Sequence, residues 1–174
     1  DLVIRGGKIL DGTGALAFDG EVCVRGERIA YIGERHGERA ARILDVDGLT
    51  IAPGFIDVHS HADGLLLNEQ QPDDSKVAQG VTTEVIGNCG FTLAPINPQF
   101  KDLLIMQASA IVGGPSTHAL LPAGQAGSGQ AGVTWDWSSF GDYLDTLETV
   151  KPPINVAALV GHNAVRVAAM GFEN

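Results

Sequence analysis

The chain has 174 residues, enough for one domain with a core or a small domain plus part of a larger one, and too few for a complete (β/α)8 barrel of about 250 residues. Hydrophobic residues at 44% and charged residues at 18% rule out a disordered tail. A formal charge of −10 without a Lys/Arg stripe argues against nucleic acid or an anionic membrane as partner. In chain order, residues 1 to 54 read as three β-hairpins. Leu2 to Ile4 and Lys8 to Leu10 flank Gly6-Gly7; Glu21 to Val24 and Arg28 to Ile32 flank a turn at Gly26; Arg42 to Val46 and Leu49 to Ala52 flank Asp47-Gly48. Gly-Gly and Asp-Gly between apolar runs supply positive φ at little cost, which is the short-range signature of a hairpin. Such a set of strands predicts half of a small sandwich, and residues 33 to 41 read as a solvated connection.

Pro53-Gly54 marks a boundary, and the domains are expected at 1–54 and 55–174. Phe55 to Val58 reads as an apolar strand running into His59-Ser60-His61, followed by a short helical stretch near 73 to 79 and a second strand, Thr82 to Ile86, running into Gly87-Asn88-Cys89-Gly90. Eight of the twenty residues from 113 to 132 are Gly or Pro, which predicts a long mobile loop near a site mouth. Trp137, Phe140, Tyr143, Leu144, Leu147 and Val150 recur at spacings of three and four and predict a helix over 137–150, capped by Asp136 or Ser138. Ile154 to Val160 is the third strand, ending in Gly161-His162. Strand, helix, strand, helix, strand is the βαβ signature of a parallel α/β sheet.

The chemistry concentrates where these strands stop. In Asp57-Val58-His59-Ser60-His61-Ala62-Asp63, the period of two puts His59 and His61 on one face together with Asp57 and Asp63. Two neutral nitrogen donors at fixed spacing suit a divalent metal such as Zn2+; a pair of surface histidines is the plainer alternative. Cys89, bracketed by glycines and sharing the parity of Thr83, Val85 and Gly87, reaches the same end of a neighbouring strand either as a thiolate ligand or as a small packed hydrophobe. His162 closes the third strand at the mouth of the site, in a supporting, substrate-contacting or structural role; Arg166 reads first as a helix-surface cation. His36 and His118 fall in loops and are expected to face solvent, and Cys23 reads as packing. There is no G-x-S-x-G elbow, P-loop or C-x-x-C pair. Two cysteines make no disulfide framework, no apolar run reaches the roughly 20 residues of a membrane span, and no signal peptide is visible, so the expected compartment is the cytoplasm.

The opening Asp1 to Gly14 and the stretch Ala52-Pro53-Gly54-Phe55-Ile56-Asp57-Val58-His59-Ser60-His61 resemble the amidohydrolase superfamily. Gly80 to Phe91, Trp135-Asp136-Trp137 and Asn155 to His162 are similar to the N-acyl-D-amino-acid deacylases, the D-aminoacylases, and the resemblance covers nearly the whole chain. It implies a (β/α)8 TIM barrel, of which residues 55 to 174 would be the first three βα units, and a small β-sandwich built from both chain ends. It implies that His59, His61 and Cys89 bind zinc, at one tight site with a second weaker one. Asp57, Asp63 and His162 are left as candidates for supporting those ligands or touching substrate. The general base, an Asp, and two further His ligands are expected beyond Asn174, so the remainder of a longer polypeptide would complete the barrel. The implied reaction is amide hydrolysis of a small-molecule N-acyl-D-amino acid by metal-activated water, giving a carboxylate and a free D-amino acid. A cyclic amidase of the hydantoinase or dihydroorotase type and a non-catalytic scaffold are the alternatives.

Overall fold

The computed structural model describes residues 1–37, 39–67, 75–112 and 135–172, with the side chains of 109–112 excepted. The chain divides into two compact units, Asp1–Pro53 and Gly54–Asn174. The first carries β1 (Leu2–Ile9), β2 (Phe18–Arg25), β3 (Arg28–Gly33), β4 (Arg42–Asp45) and β5 (Thr50–Ile51) in one sheet of order β3-β2-β1-β4, with β5 also on β1. Val3, Ile9, Val22 and Cys23 are its buried apolar side chains.

Only the middle hairpin, β2 with β3, forms as the turn residues predict. Gly6-Gly7 lies inside the single strand β1, at a shift in its register against β2. Asp47-Gly48 does not fold the chain back either: β4 and β5 both run parallel to β1, Leu2–Arg5 against Arg42–Asp45 and Lys8–Ile9 against Thr50–Ile51. The two irregularities coincide. Residues 46–49 arch over the glycine pair, with the Lys8 N–H donating to the Leu49 carbonyl (3.0 Å) and the Val46 N–H to that of Arg5 (2.8 Å). A Cβ on Gly7 would stand 2.7 Å from the Leu49 oxygen, and Gly6 holds φ +88°. These glycines are therefore required by a close backbone crossing rather than by a reversal.

In the second unit β6 (Phe55–Asp57), β7 (Val81–Ile86) and β8 (Asn155–Ala158) form a parallel sheet of order β6-β7-β8. Helices α1 (Lys101–Val112), α2 (Phe140–Val150) and α3 (His162–Met170) accompany it, so the unit is α/β. Of the helical stretch expected at 73 to 79, the described part is a single 3-10 turn, Val77–Gln79. Helix α2 begins later than its apolar spacing suggests. Ser139 caps it, accepting the Asp142 N–H (3.1 Å), while the Asp142 carboxylate takes the Ser139 N–H (2.9 Å), a reciprocal box that fixes the first turn. Trp137 thus precedes the helix. Its ring stacks on Trp135 (5.4 Å between centroids) and lies 5.5 Å from Tyr143, and its Nε1–H donates to the Leu93 carbonyl (2.8 Å). Each such indole removes roughly 150–250 Å2 from water, about 4–6 kcal/mol before entropy is counted, so this cluster, with Ile86, Leu104, Ile105 and Leu147, anchors the unit. The loop expected at 113–132, with His118, lies outside the described residues. No helix among the described residues is long and apolar enough to cross a membrane.

Candidate metal centre

Strand β6 ends at Asp57, and the chain bends at Val58 and His59 as it leaves. His59 and His61 come to one side with ring centroids 5.4 Å apart, while Ser60 between them is buried on the other. Cys89 arrives by a different route from the parity expected of it. Strand β7 stops at Ile86, and Gly87 (φ +80°), Cys89 (φ +56°) and Gly90 (φ +81°) wind the chain into a tight left-handed turn. A Cβ on Gly87 would strike the Leu159 carbonyl at the end of β8, so the turn is wedged against the next strand. Cys89 itself, a non-glycine residue in the left-handed region, carries strain of about 1–3 kcal/mol, of the kind that collects at functional sites.

That turn sets Cys89 Sγ 3.2 Å from His59 Nε2. One donor atom from each of His59, His61 and Cys89 lies within 4.8 Å of the others, and two of the three residues are exposed. A tetrahedral zinc ion, bonded at about 2.1 Å to nitrogen and about 2.3 Å to sulfur, spaces its donors roughly 3.4–3.6 Å apart. The His59–Cys89 separation, 3.2 Å, is close to that spacing, and all three donors lie within 4.8 Å of one another. Two imidazoles and a thiolate with an open side fit zinc in donor chemistry and in number.

The three remaining predicted residues do not join the cluster. Asp57 turns to its own strand end: one carboxylate oxygen accepts the His59 N–H (3.1 Å), the other meets Lys76 Nζ (2.8 Å), and the Lys76 bond foremost holds its pKa below the ordinary carboxylate value. Asp63 is 5% exposed, and burial pushes its pKa up to about 6. It lines a small pocket of about 20 Å3 beside His61, where Phe91, Leu93 and Gln107 also lie. Among the described residues, Asp63 Oδ1 and Gln107 Oε1 are buried without a hydrogen-bond partner. His162 is exposed on the first turn of α3, outside the three-donor group. His36, expected to face solvent, is half-exposed and sets Nδ1 2.8 Å from the buried carboxylate of Glu21.

Sequence reasoning passed over Lys76, Ser60 and Glu84. The signal that could have found them is Glu84, a charge in the middle of the apolar strand Val81–Ile86, which must have a partner if buried. Lys76 Nζ lies 2.8 Å from Asp57 Oδ2, 2.8 Å from Ser60 Oγ and 3.2 Å from Glu84 Oε1, and Ser60 Oγ donates to Glu84 Oε2 (2.8 Å).

A family model described as the amidohydrolase family matches residues 42–173. D-aminoacylase of Alcaligenes xylosoxydans xylosoxydans is 37% identical over 98% of this chain, which spans 31% of that protein. Among solved structures, a D-aminoacylase described by its binuclear metal center, with one-metal activation and second-metal attenuation, superposes with a TM-score of 0.74 at 36% identity, over 98% of this chain and 31% of that one. N-acyl-D-glutamate deacylase from Bordetella bronchiseptica, complexed with zinc and a phosphonate mimic of the tetrahedral intermediate, does so with a TM-score of 0.70 at 39% identity and the same coverage. The chain thus spans under a third of the relatives it matches.

Proposed function

The chain belongs to the amidohydrolase family, and from that premise we propose that it supplies zinc ligands to an enzyme hydrolysing N-acyl-D-amino acids to a carboxylate and a free D-amino acid. The observation that carries the reading is the convergence of His59, His61 and Cys89 donor atoms within 4.8 Å at the ends of neighbouring parallel strands. His59 and His61 would offer neutral nitrogens and Cys89 a thiolate to a bound zinc, at one tight site with a second weaker one. Zinc, when bound, supplies Lewis acidity: it activates water and polarises the acyl carbonyl. The chain's own part is to hold the three donors together at the strand ends. We place residues 55–174 as the first three βα units of a (β/α)8 barrel, residues 1–54 as half of a β-sandwich, and the general base outside both, in a chain of the relatives' length. Exposed Ile29, Ile32 and Leu44, which the strand register puts on one face of the first sheet, support the sandwich, since a one-layer sheet leaves such a face to be covered. Two free cysteines suit the cytoplasm.

The test is zinc content and turnover of the complete polypeptide with N-acetyl-D-amino acids, their L-enantiomers and hydantoin, for the wild type, Cys89→Ala and Cys23→Ala. Hydrolysis confined to the D-amides, lost with its zinc in Cys89→Ala and kept in Cys23→Ala, is expected. Full zinc and full activity in Cys89→Ala would overturn the assignment.

A further inference from the structure

Around Ser60, between the two histidines, lies a polar network. Ammonium nitrogen has three N–H donors, and Lys76 places all three. They meet Asp57 Oδ2 (2.8 Å) at the end of β6, Ser60 Oγ (2.8 Å) between the two histidines and Glu84 Oε1 (3.2 Å) on β7. The second Glu84 oxygen accepts from Ser60 Oγ (2.8 Å), and the Glu84 side chain is 4% exposed against 31% for Lys76. Several peptide groups around the histidines are held beside this frame. Asp57 Oδ1 takes the His59 N–H (3.1 Å), the Ser60 N–H donates to the Val85 carbonyl (3.0 Å), and Ser60 Oγ takes the Ala62 N–H (3.2 Å). Asn88 Nδ2 donates to the Ser60 carbonyl (3.3 Å) and to that of Val85 (2.7 Å), joining the histidine segment to the turn that carries Cys89.

We propose that Lys76 is a positioning residue for the metal centre. Its ammonium, through Asp57, Ser60 and Glu84, fixes the backbone from Asp57 to Ala62 so that both imidazoles face Cys89. None of the three acceptors points to the donor cluster, so the effect on the metal is indirect, through backbone placement. A satisfied network around a buried carboxylate specifies one arrangement, and loss of Lys76 alone leaves the 4%-exposed Glu84 without its cation. The inference rests on the zinc reading above, and the wild type's own zinc affinity is its control.

The experiment measures zinc affinity by chelator competition, and Tm in the metal-free state, for the complete polypeptide. The variants are Lys76→Met/Glu84→Gln, which removes both charges together, Lys76→Arg, which keeps the cation, and Ser60→Ala, which keeps every charge and removes the shared hydroxyl. Loss of a group that orients metal ligands typically weakens binding roughly 10- to 100-fold. We expect a loss of that order in the double variant and in Ser60→Ala, a smaller one in Lys76→Arg, and a metal-free Tm that does not rank the variants the same way. Affinities within about twofold of wild type in Ser60→Ala and in any folded double variant would overturn the positioning role while leaving the metal centre standing. If the double variant does not fold, Ser60→Ala decides alone. A wild type that binds no zinc would overturn the metal centre itself, and this inference with it.

Discussion

Replacing Gly87 by alanine separates two costs that usually arrive together. Gly87 and Gly80 hold nearly the same backbone, φ +80° and +89°, and lie in the same unit at opposite ends of β7. An L side chain forced into that region costs roughly 1–2 kcal/mol at either position. At Gly80 the new methyl makes ordinary contact, 3.4 Å from Phe55. At Gly87 it meets the Leu159 carbonyl and stands 2.6 Å from Thr92 Cγ2. Neither neighbour can give freely: the Leu159 N–H is bonded to the Ile86 carbonyl (3.0 Å), and Thr92 Oγ1 accepts the Gly161 N–H (3.2 Å). Such overpacking adds about 1–3 kcal/mol. Gly87→Ala should therefore cost about 2–5 kcal/mol in all, and exceed Gly80→Ala by about 1–3 kcal/mol, or roughly 5- to 150-fold in the unfolding constant. Both tryptophans of the chain, Trp135 and Trp137, are buried in this unit. Urea unfolding of the complete polypeptide followed by tryptophan fluorescence reads the comparison. A Gly87→Ala protein no less stable than Gly80→Ala would refute the claim that the Cys89 turn is wedged against the end of β8.

Hydrogen bonds from the Ser139 and Ser138 N–H groups and hydroxyls hold the exposed Asp142 carboxyl at about 2, below its ordinary 3.8. A depressed pKa stabilises the fold above the unfolded value, so the contribution should be complete above about pH 4 and vanish as pH falls through about 2. Tm recorded from pH 5 to 2 should fall more steeply for the wild type than for Asp142→Asn; parallel curves would exclude the capping role. Trp137→Phe keeps most of the packing but strips the Leu93 carbonyl of its buried donor, and should cost about 1–3 kcal/mol in the same urea assay. Ser139→Ala should cost about 1 kcal/mol and lower the helical signal at 222 nm, because one N–H of the first turn of α2 loses its acceptor.

What sequence made legible divides along the range of the interactions. The order and parallel sense of β6, β7 and β8 and the pairing of His59 with His61 follow from local alternation and apolar runs, and they hold. Gly6-Gly7 misleads because it answers to the backbone of residues 45–51, some forty residues on, and not to its own neighbours. Cys89 is placed by a left-handed turn, which parity arguments on β7 cannot see. Helix α1 escapes periodicity because Leu103, Leu104, Ile105 and Met106 are consecutive: Leu104 and Ile105 are buried, Leu103 and Met106 exposed. Lys76 shows no local pattern at all, since its three acceptors are 8, 16 and 19 residues away along the chain and meet only after β6 and β7 pair.

The openness of Cys89 has a chemical cost. Of the two thiols, Cys23 is sealed at 3% exposure beneath the first sheet, whereas Cys89 stands at the surface next to His59. A sulfur accessible enough to accept a metal ion is accessible to peroxide when no ion covers it. The first product, a sulfenic acid, can be reduced back, but further oxidation to the sulfinic acid removes the soft donor for good. Oxidative damage to metal-depleted protein should then be concentrated in one atom, and protein stripped of metal under air should lose its ability to be reloaded without any loss of fold.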